Sequence, residues 1–143
     1  MQTDSAANGV DFRQLFKEIR TIAVVGYSDN PERAGHYVAH YLKDAGYDVL
    51  AVNPKFGAEI NGLRNFKSLA DIPADVQVDL VDVFRSPPQV PEVASAAGKL
   101  NPLPKYFFMQ PGAESEEGAQ VAAEHGMIPI MHSCMMAAHK IWK

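Results

Sequence analysis

TIAVVGYSDNPERAG, residues 21–35, is a short apolar, largely β-branched run that stops at Gly26 and gives way to a polar loop. A continuous run of this kind suits a central parallel strand covered on both faces. Downstream, residues 35–45 read as a helix whose apolar stripe is Val38, Tyr41, Leu42 and Ala45, with Gly46 placed to end it. A second strand, DVLAV at 48–52, closes on Asn53-Pro54. Strand, Gly loop, helix, Gly, strand is a βαβ unit of about 30 residues. Right-handed crossover makes its two strands parallel.

The same alternation extends to both sides. Residues 11–19 form an amphipathic helix through Phe12, Leu15, Phe16 and Ile19. Residues 1–10 are expected to be a flexible segment ahead of a domain spanning 11–143. Beyond the βαβ unit, Asn61-Gly62 marks a turn before an edge strand at 63–66. Ser68 and Asp71 stand at capping-box positions of a brief helix, 68–72. Further strands are expected at 78–84, 105–109 and 127–131, and further helices at 88–97, 115–125 and 134–142. The fold class is therefore α/β, a doubly wound, mostly parallel sheet with helices on both faces. Its six strands should run in the order 3-2-1-4-5-6.

Composition narrows the function classes. At 143 residues the length prior is one domain, and about 68–70% of the unfolded chain's surface should be buried without staples. A net charge of -4 argues against a nucleic-acid-binding surface. One cysteine, Cys134, excludes an intrachain disulfide and Cys-rich zinc modules. No apolar run approaches the roughly 20 residues of a membrane span, and the first nine residues lack a signal-peptide core. The expected location is the cytoplasm, with no membrane or nucleic-acid partner and protein partners left open.

In an open parallel sheet, ligands bind outside the carboxyl ends of the strands, where strand order reverses. The loops that end there are Gly26 to Gly35, Asn53-Pro54-Lys55, Arg85-Ser86-Pro87-Pro88 and Gln110-Pro111-Gly112. The first precedes a helix whose free N–H groups favour an anion such as phosphate. It is not a dinucleotide fingerprint, which would need glycines at 28 and 31. Ser28 offers a hydroxyl instead, and Arg33 a bidentate fork. At the end of strand two, NAD sites carry an acid for the ribose diol. Here stands Asn53-Pro54-Lys55, with a cation suited to an extra sugar phosphate. That leaves NADP or coenzyme A.

VVGYSDNPERAGHYVAHYL (24–42), GYDVLAVNPK (46–55), NFKSLADIP (65–73), VDLVDVFRSPPQVP (78–91) and MQPGAESEEGAQVAAEHG (109–126), with the closing 134–139 stretch, resemble the stand-alone CoA-binding domain proteins. Their Rossmann-like fold is shared with the CoA-binding domain of the succinyl-CoA synthetase alpha subunit. The resemblance spans residues 12–140. It implies coenzyme A or an acyl-CoA bound across the switch point. Gly26, Tyr27 and Ser28 would lie in the phosphate loop, with Arg33 following. Asn53, Pro54 and Lys55 would flank the adenosine and its 3′-phosphate. Phe84, Arg85 and Ser86 would run along the nucleotide's other side, with Gln110 and Gly112 at the next strand end. Two positions depart from the family pattern: Gly35, where Ser is frequent, and Ala138, where an acid commonly precedes the histidine.

Cys134, flanked by His132 and His139, is the one candidate nucleophile, able in principle to take an acyl group from a thioester. A Cys with two His at these spacings fits no common zinc site, so no metal is expected. His36, His40 and His125 read as surface residues, and Phe107 and Phe108 as strand core. A small nucleotide-binding module without chemistry of its own is the expectation. The alternatives are an NADP-dependent oxidoreductase and acyl transfer through Cys134.

Overall fold

Asp11 opens the first helix by accepting the Gln14 amide at 3.2 Å, and Phe12–Glu18 (α1) lays Phe12, Leu15 and Phe16 into the interior. This is the computed structural model of the chain, and it describes residues 9–143. Of the flexible segment expected at residues 1–10, residues 1–8 lie outside the described residues, and Val10 is buried in the core. The strands that follow are Thr21–Val25 (β1), Asp48–Val52 (β2), Glu59–Ile60 (β3), Leu63–Phe66 (β4), Leu80–Val83 (β5), Tyr106–Met109 (β6) and Ile128–Ile130 (β7). Between and after them lie Ala34–Asp44 (α2), Val90–Ala97 (α3), Glu116–Glu124 (α4) and Met135–Trp142 (α5), with 3-10 turns at Leu69–Asp71 and Pro87–Gln89.

Sheet order is β3-β4-β2-β1-β5-β6-β7, parallel throughout except for the β3–β4 pair. The six expected strands therefore stand in the expected order, and the α/β, doubly wound class holds. The sequence reading missed β3. It is only two residues long and lacks the β-branched run that marks a strand. Asn61 and Gly62 join it to β4 with φ values of 52° and 83°, the backbone twist that a two-residue hairpin needs.

Both faces of the sheet are covered, which is why its strands read as continuous apolar runs. Ile22, Val24, Leu80 and Phe108 point to one side, under α1, α2 and α5. Ala23, Val25, Val81, Val83 and Phe107 point to the other, under α3, α4 and the Leu69–Asp71 turn. Phe107 and Phe108 are thus core residues on opposite faces.

Several element ends shift by one or two residues from expectation, and two of the differences have a visible cause. The strand expected from Val78 begins at Leu80, because the Asp79 carboxylate accepts the Arg20 and Thr21 amides at 2.8 and 2.9 Å. The expected capping box at Ser68 is a 3-10 turn, and the Ser68 hydroxyl donates to the Asp71 carboxylate at 3.1 Å instead of capping a backbone amide. Among the described residues no helix is long and apolar enough to cross a membrane.

Candidate functional site

Parallel register brings four strand ends to one level. Val52, Val25, Val83 and Met109 are successive partners across β2, β1, β5 and β6. The residues that follow them, Asn53, Gly26, Phe84 and Gln110, form the carboxyl rim. A cleft of about 570 Å³ opens there. Of the residues expected at a site, Gly26, Tyr27, Ser28, Arg33, Asn53, Lys55, Phe84, Arg85, Ser86 and Gly112 border it. Pro54 and Gln110 do not border this cleft. Pro54 turns its carbonyl to the Lys67 ammonium at 3.1 Å. Gln110 is buried and accepts the Met135 amide at 2.9 Å, holding the start of α5.

Gly26 has to be glycine in this setting. Its φ is 89°, and a Cβ would sit 2.6 Å from the Phe84 carbonyl oxygen. At Gly35 a Cβ would come within 2.8 Å of the Gly26 carbonyl oxygen. A Ser at this position would therefore have to push the loop outward.

Ser28 and Asn30 fold the loop on itself by accepting the amides of Asn30 and Glu32 at 3.1 and 3.0 Å. Arg33 occupies the N-cap of α2, and no side chain caps that end. The first-turn residues Ala34 and Gly35 border the cleft, so the open end of an eleven-residue helix faces it.

Three cations, Arg33, Lys55 and Arg85, border the cleft against one acid, Asp29. In a chain of net charge -4 this is a local inversion of sign. Arg85 is braced by donating Nε to the Gln89 side-chain oxygen at 3.1 Å, which also accepts from Ser86. The Lys55 ammonium lies 5.7 Å from the Phe56 ring centroid. Phe56, Gln89 and Ala113 also border the cleft, outside the loops expected there. Gln89 carried a readable signal, since it falls three residues after Ser86 at the start of a turn.

Beneath the Gly26 to Gly35 loop lies a polar cluster around Tyr27, whose two histidines were expected at the surface. Tyr27 borders the cleft, but its ring is fully buried. The phenol oxygen lies 2.6 Å from His40 Nε2 and accepts from Asn61 Nδ2 at 3.0 Å. His36 Nδ1 donates to the Ser28 carbonyl at 2.9 Å. Neither His36 nor His40 is the free surface residue expected, because both lie on the inward flank of α2 and the phenol draws them together. Burial, aided by the neighbouring His36 and Lys43, lowers the His40 pKa, and burial raises that of Tyr27. Asn53 ties the two loops together by donating Nδ2 to the Tyr27 carbonyl at 2.8 Å.

Cys134 stands at the N-cap of α5, half-buried, and Gln110 Nε2 lies 3.4 Å from its sulfur. His139 is turned away into an aromatic nest, with Nδ1 2.8 Å from the Tyr41 hydroxyl and its ring edge-on to Phe16. His132 is exposed. Among the described residues no group of three His, Cys, Asp or Glu could hold a metal ion.

Residues 20–140 match the CoA binding domain. The YneT protein of Bacillus subtilis (strain 168) is 36% identical over 143 residues, the full length of both chains. A solved protein from Pyrococcus horikoshii OT3 superimposes with a TM-score of 0.86 at 33% identity, covering 99% of this chain and 92% of that one. The dinucleotide-forming acetyl-coenzyme A synthetase 1 of Ca. Korarchaeum cryptofilum is also similar, with a TM-score of 0.69 at 25% identity. The match covers 90% of this chain and 30% of the synthetase.

Proposed function

This chain belongs to the CoA binding domain family, and from that premise we propose that the cleft at the carboxyl rim takes coenzyme A or an acyl-CoA. One observation carries the reading. The uncapped start of α2 and the side chains of Arg33, Lys55 and Arg85 converge on one cleft in an otherwise acidic chain. Helix-end amides suit a diphosphate, and separate cations suit a further phosphate on the sugar. Arg33 and the amides of Ala34 and Gly35 take the diphosphate. Lys55 meets the 3′-phosphate, and Arg85 with Ser86 follows the opposite side of the nucleotide.

The test is calorimetry with CoA and dephospho-CoA. A charge-assisted contact to the sugar phosphate makes CoA the tighter ligand by about ten- to a hundredfold. Equal affinities would remove the sugar phosphate, and Lys55 with it, from the site. NADPH that binds without being displaced by CoA would favour an oxidoreductase instead.

In this reading residues 11–143 form one cytoplasmic binding domain that does no chemistry of its own. The support is local, since the Cys134 sulfur is met by the Gln110 amide rather than by an imidazole. Incubation with acetyl-CoA should therefore leave the mass of the protein unchanged. An acetyl adduct that vanishes in Cys134→Ala would instead establish acyl transfer.

A further inference from the structure

The loop that carries Lys55 is gripped from behind by β4. Asn65 is almost wholly buried, and its Nδ2 lies 3.1, 3.2 and 2.8 Å from the carbonyl oxygens of Asn53, Phe56 and Gly57. Its backbone amide donates to the Ala58 carbonyl at 2.9 Å. One residue past the strand, the Lys67 ammonium donates to the Pro54 and Phe56 carbonyls at 3.1 and 3.0 Å. The carbonyls of 53, 54, 56, 57 and 58 are thus all turned toward β4 and the residue that ends it, and only that of Lys55 is not. The amide of Lys55 is itself tied to the Asn53 side-chain oxygen at 2.9 Å.

The chemistry of this grip fixes its orientation. An amide nitrogen facing three carbonyls can only donate, so the Asn65 side chain cannot be flipped without setting oxygen against oxygen. Lys67, though exposed, likewise turns its ammonium to two neutral carbonyls rather than to a carboxylate. Neither residue is among those bordering the cleft. Their reach is onto the backbone of the segment that presents Lys55.

Resting on the CoA reading above, we propose that Asn65 and Lys67 are positioning residues for recognition of the ligand's sugar phosphate. They hold residues 53–58 in the conformation that delivers Lys55 to the cleft, and so set the preference for a 3′-phosphorylated nucleotide over its dephosphorylated form. A flexible lysine on a loose loop would lose part of that contact to the entropy of ordering the loop.

The experiment is calorimetry with CoA and dephospho-CoA on the full chain and its variants. Lys67 is exposed, so Lys67→Met should fold. It should reduce the CoA to dephospho-CoA affinity ratio by about two- to tenfold, the equivalent of one ordinary hydrogen bond. Lys67→Arg keeps its donors and should restore the ratio. In a Lys55→Met background Lys67→Met should change nothing further, because a residue acting through Lys55 has no separate term. A preference that survives Lys67→Met, or falls additively with Lys55→Met, overturns the positioning role alone. A native chain that holds both nucleotides equally overturns the sugar-phosphate reading and this inference together.

Discussion

Tyr27 and Asp82 each bury a polar group on the α1, α2 and α5 side of the sheet, and the two meet opposite fates. The Tyr27 hydroxyl is surrounded by partners: Asn61 donates to it, and it shares a hydrogen bond with His40. Asp82, on β5, lies in a register row with Ala51, Val24, Phe108 and Ile130, all fully buried. Neither of its carboxyl oxygens has a hydrogen-bond partner among the described residues. The Tyr27 cluster links the Gly26 to Gly35 loop, α2 and the β3–β4 hairpin in one arrangement, so its polarity specifies structure. Asp82 links nothing. Burial drives its pKa well above the ordinary carboxylate value, keeping it neutral at a cost in desolvation. Burial alone therefore does not say whether a polar group stabilises; its partners do.

The largest expected effect is at Asp82. Asp82→Leu keeps the branching at Cγ and removes the orphaned oxygens, so stability at neutral pH should rise by about 1–3 kcal/mol. The native protein also has a predicted pH signature. A folded-state pKa raised above the unfolded one means that the folded state binds the extra proton. This contribution is thus fullest below about pH 4 and declines as pH rises toward the folded pKa. Urea unfolding between pH 4 and 8 should show that decline in the native chain and its loss in Asp82→Leu. A leucine variant less stable at every pH would mean that Asp82 has a partner after all and would break the contrast.

Next comes Tyr27→Phe, which leaves the Asn61 donor and the His40 nitrogen unpaired and should cost about 1–2 kcal/mol. His40 has the opposite pH sign to Asp82. Its pKa is depressed in the folded state, so its contribution is present above about pH 6.5 and is lost as pH falls through the folded value. Replacing Tyr27 by Phe should shrink that acid-side loss in the same unfolding series. A variant as stable as the native chain would mean that the cluster does not hold the loop.

The smallest effect sharpens the comparison from the surface. Lys105 pairs with Glu18 at 2.6 Å, and the Tyr106 hydroxyl donates to the same carboxylate, holding Glu18 down to about 2. The lysine is half exposed, so Lys105→Met should cost only about 0.5 kcal/mol near neutral pH. Because the Glu18 pKa is lowered, that stability is present above about pH 4.5 and lost as pH falls toward 2. A much larger cost would show that solvent screens this pair less than its exposure implies.

Much of this architecture could be read before any coordinates. TIAVV, DVLAV and the segment around Phe107 and Phe108 announced strands by their unbroken apolar runs, and Gly46 marked a helix end by residue type. The rim residues Gly26 and Asn53 followed from those strand ends, because a strand's carboxyl end is local information, whereas Phe84 came from the family resemblance. Glu59–Ile60 escaped because two residues, one exposed and one half-buried, carry no period. His36 and His40 escaped because a helical position alone does not say what the neighbouring loop places against it. Gln110 was read at the rim, but the way its side chain turns depends on α5, more than twenty residues later.

The run VDLVDVF marks the division most sharply. Its β-strand character is carried by Val78, Leu80, Val81 and Val83, whose apolar side chains demand burial wherever the chain goes. Nothing in that run separates Asp79 from Asp82, yet the folded chain gives Asp79 two backbone amides to accept and leaves Asp82 with none. Apolar pattern is a property of neighbours along the chain and so survives in the sequence. Hydrogen-bond satisfaction belongs to neighbours in space, here 58 and 59 residues apart, and comes into being when the sheet closes.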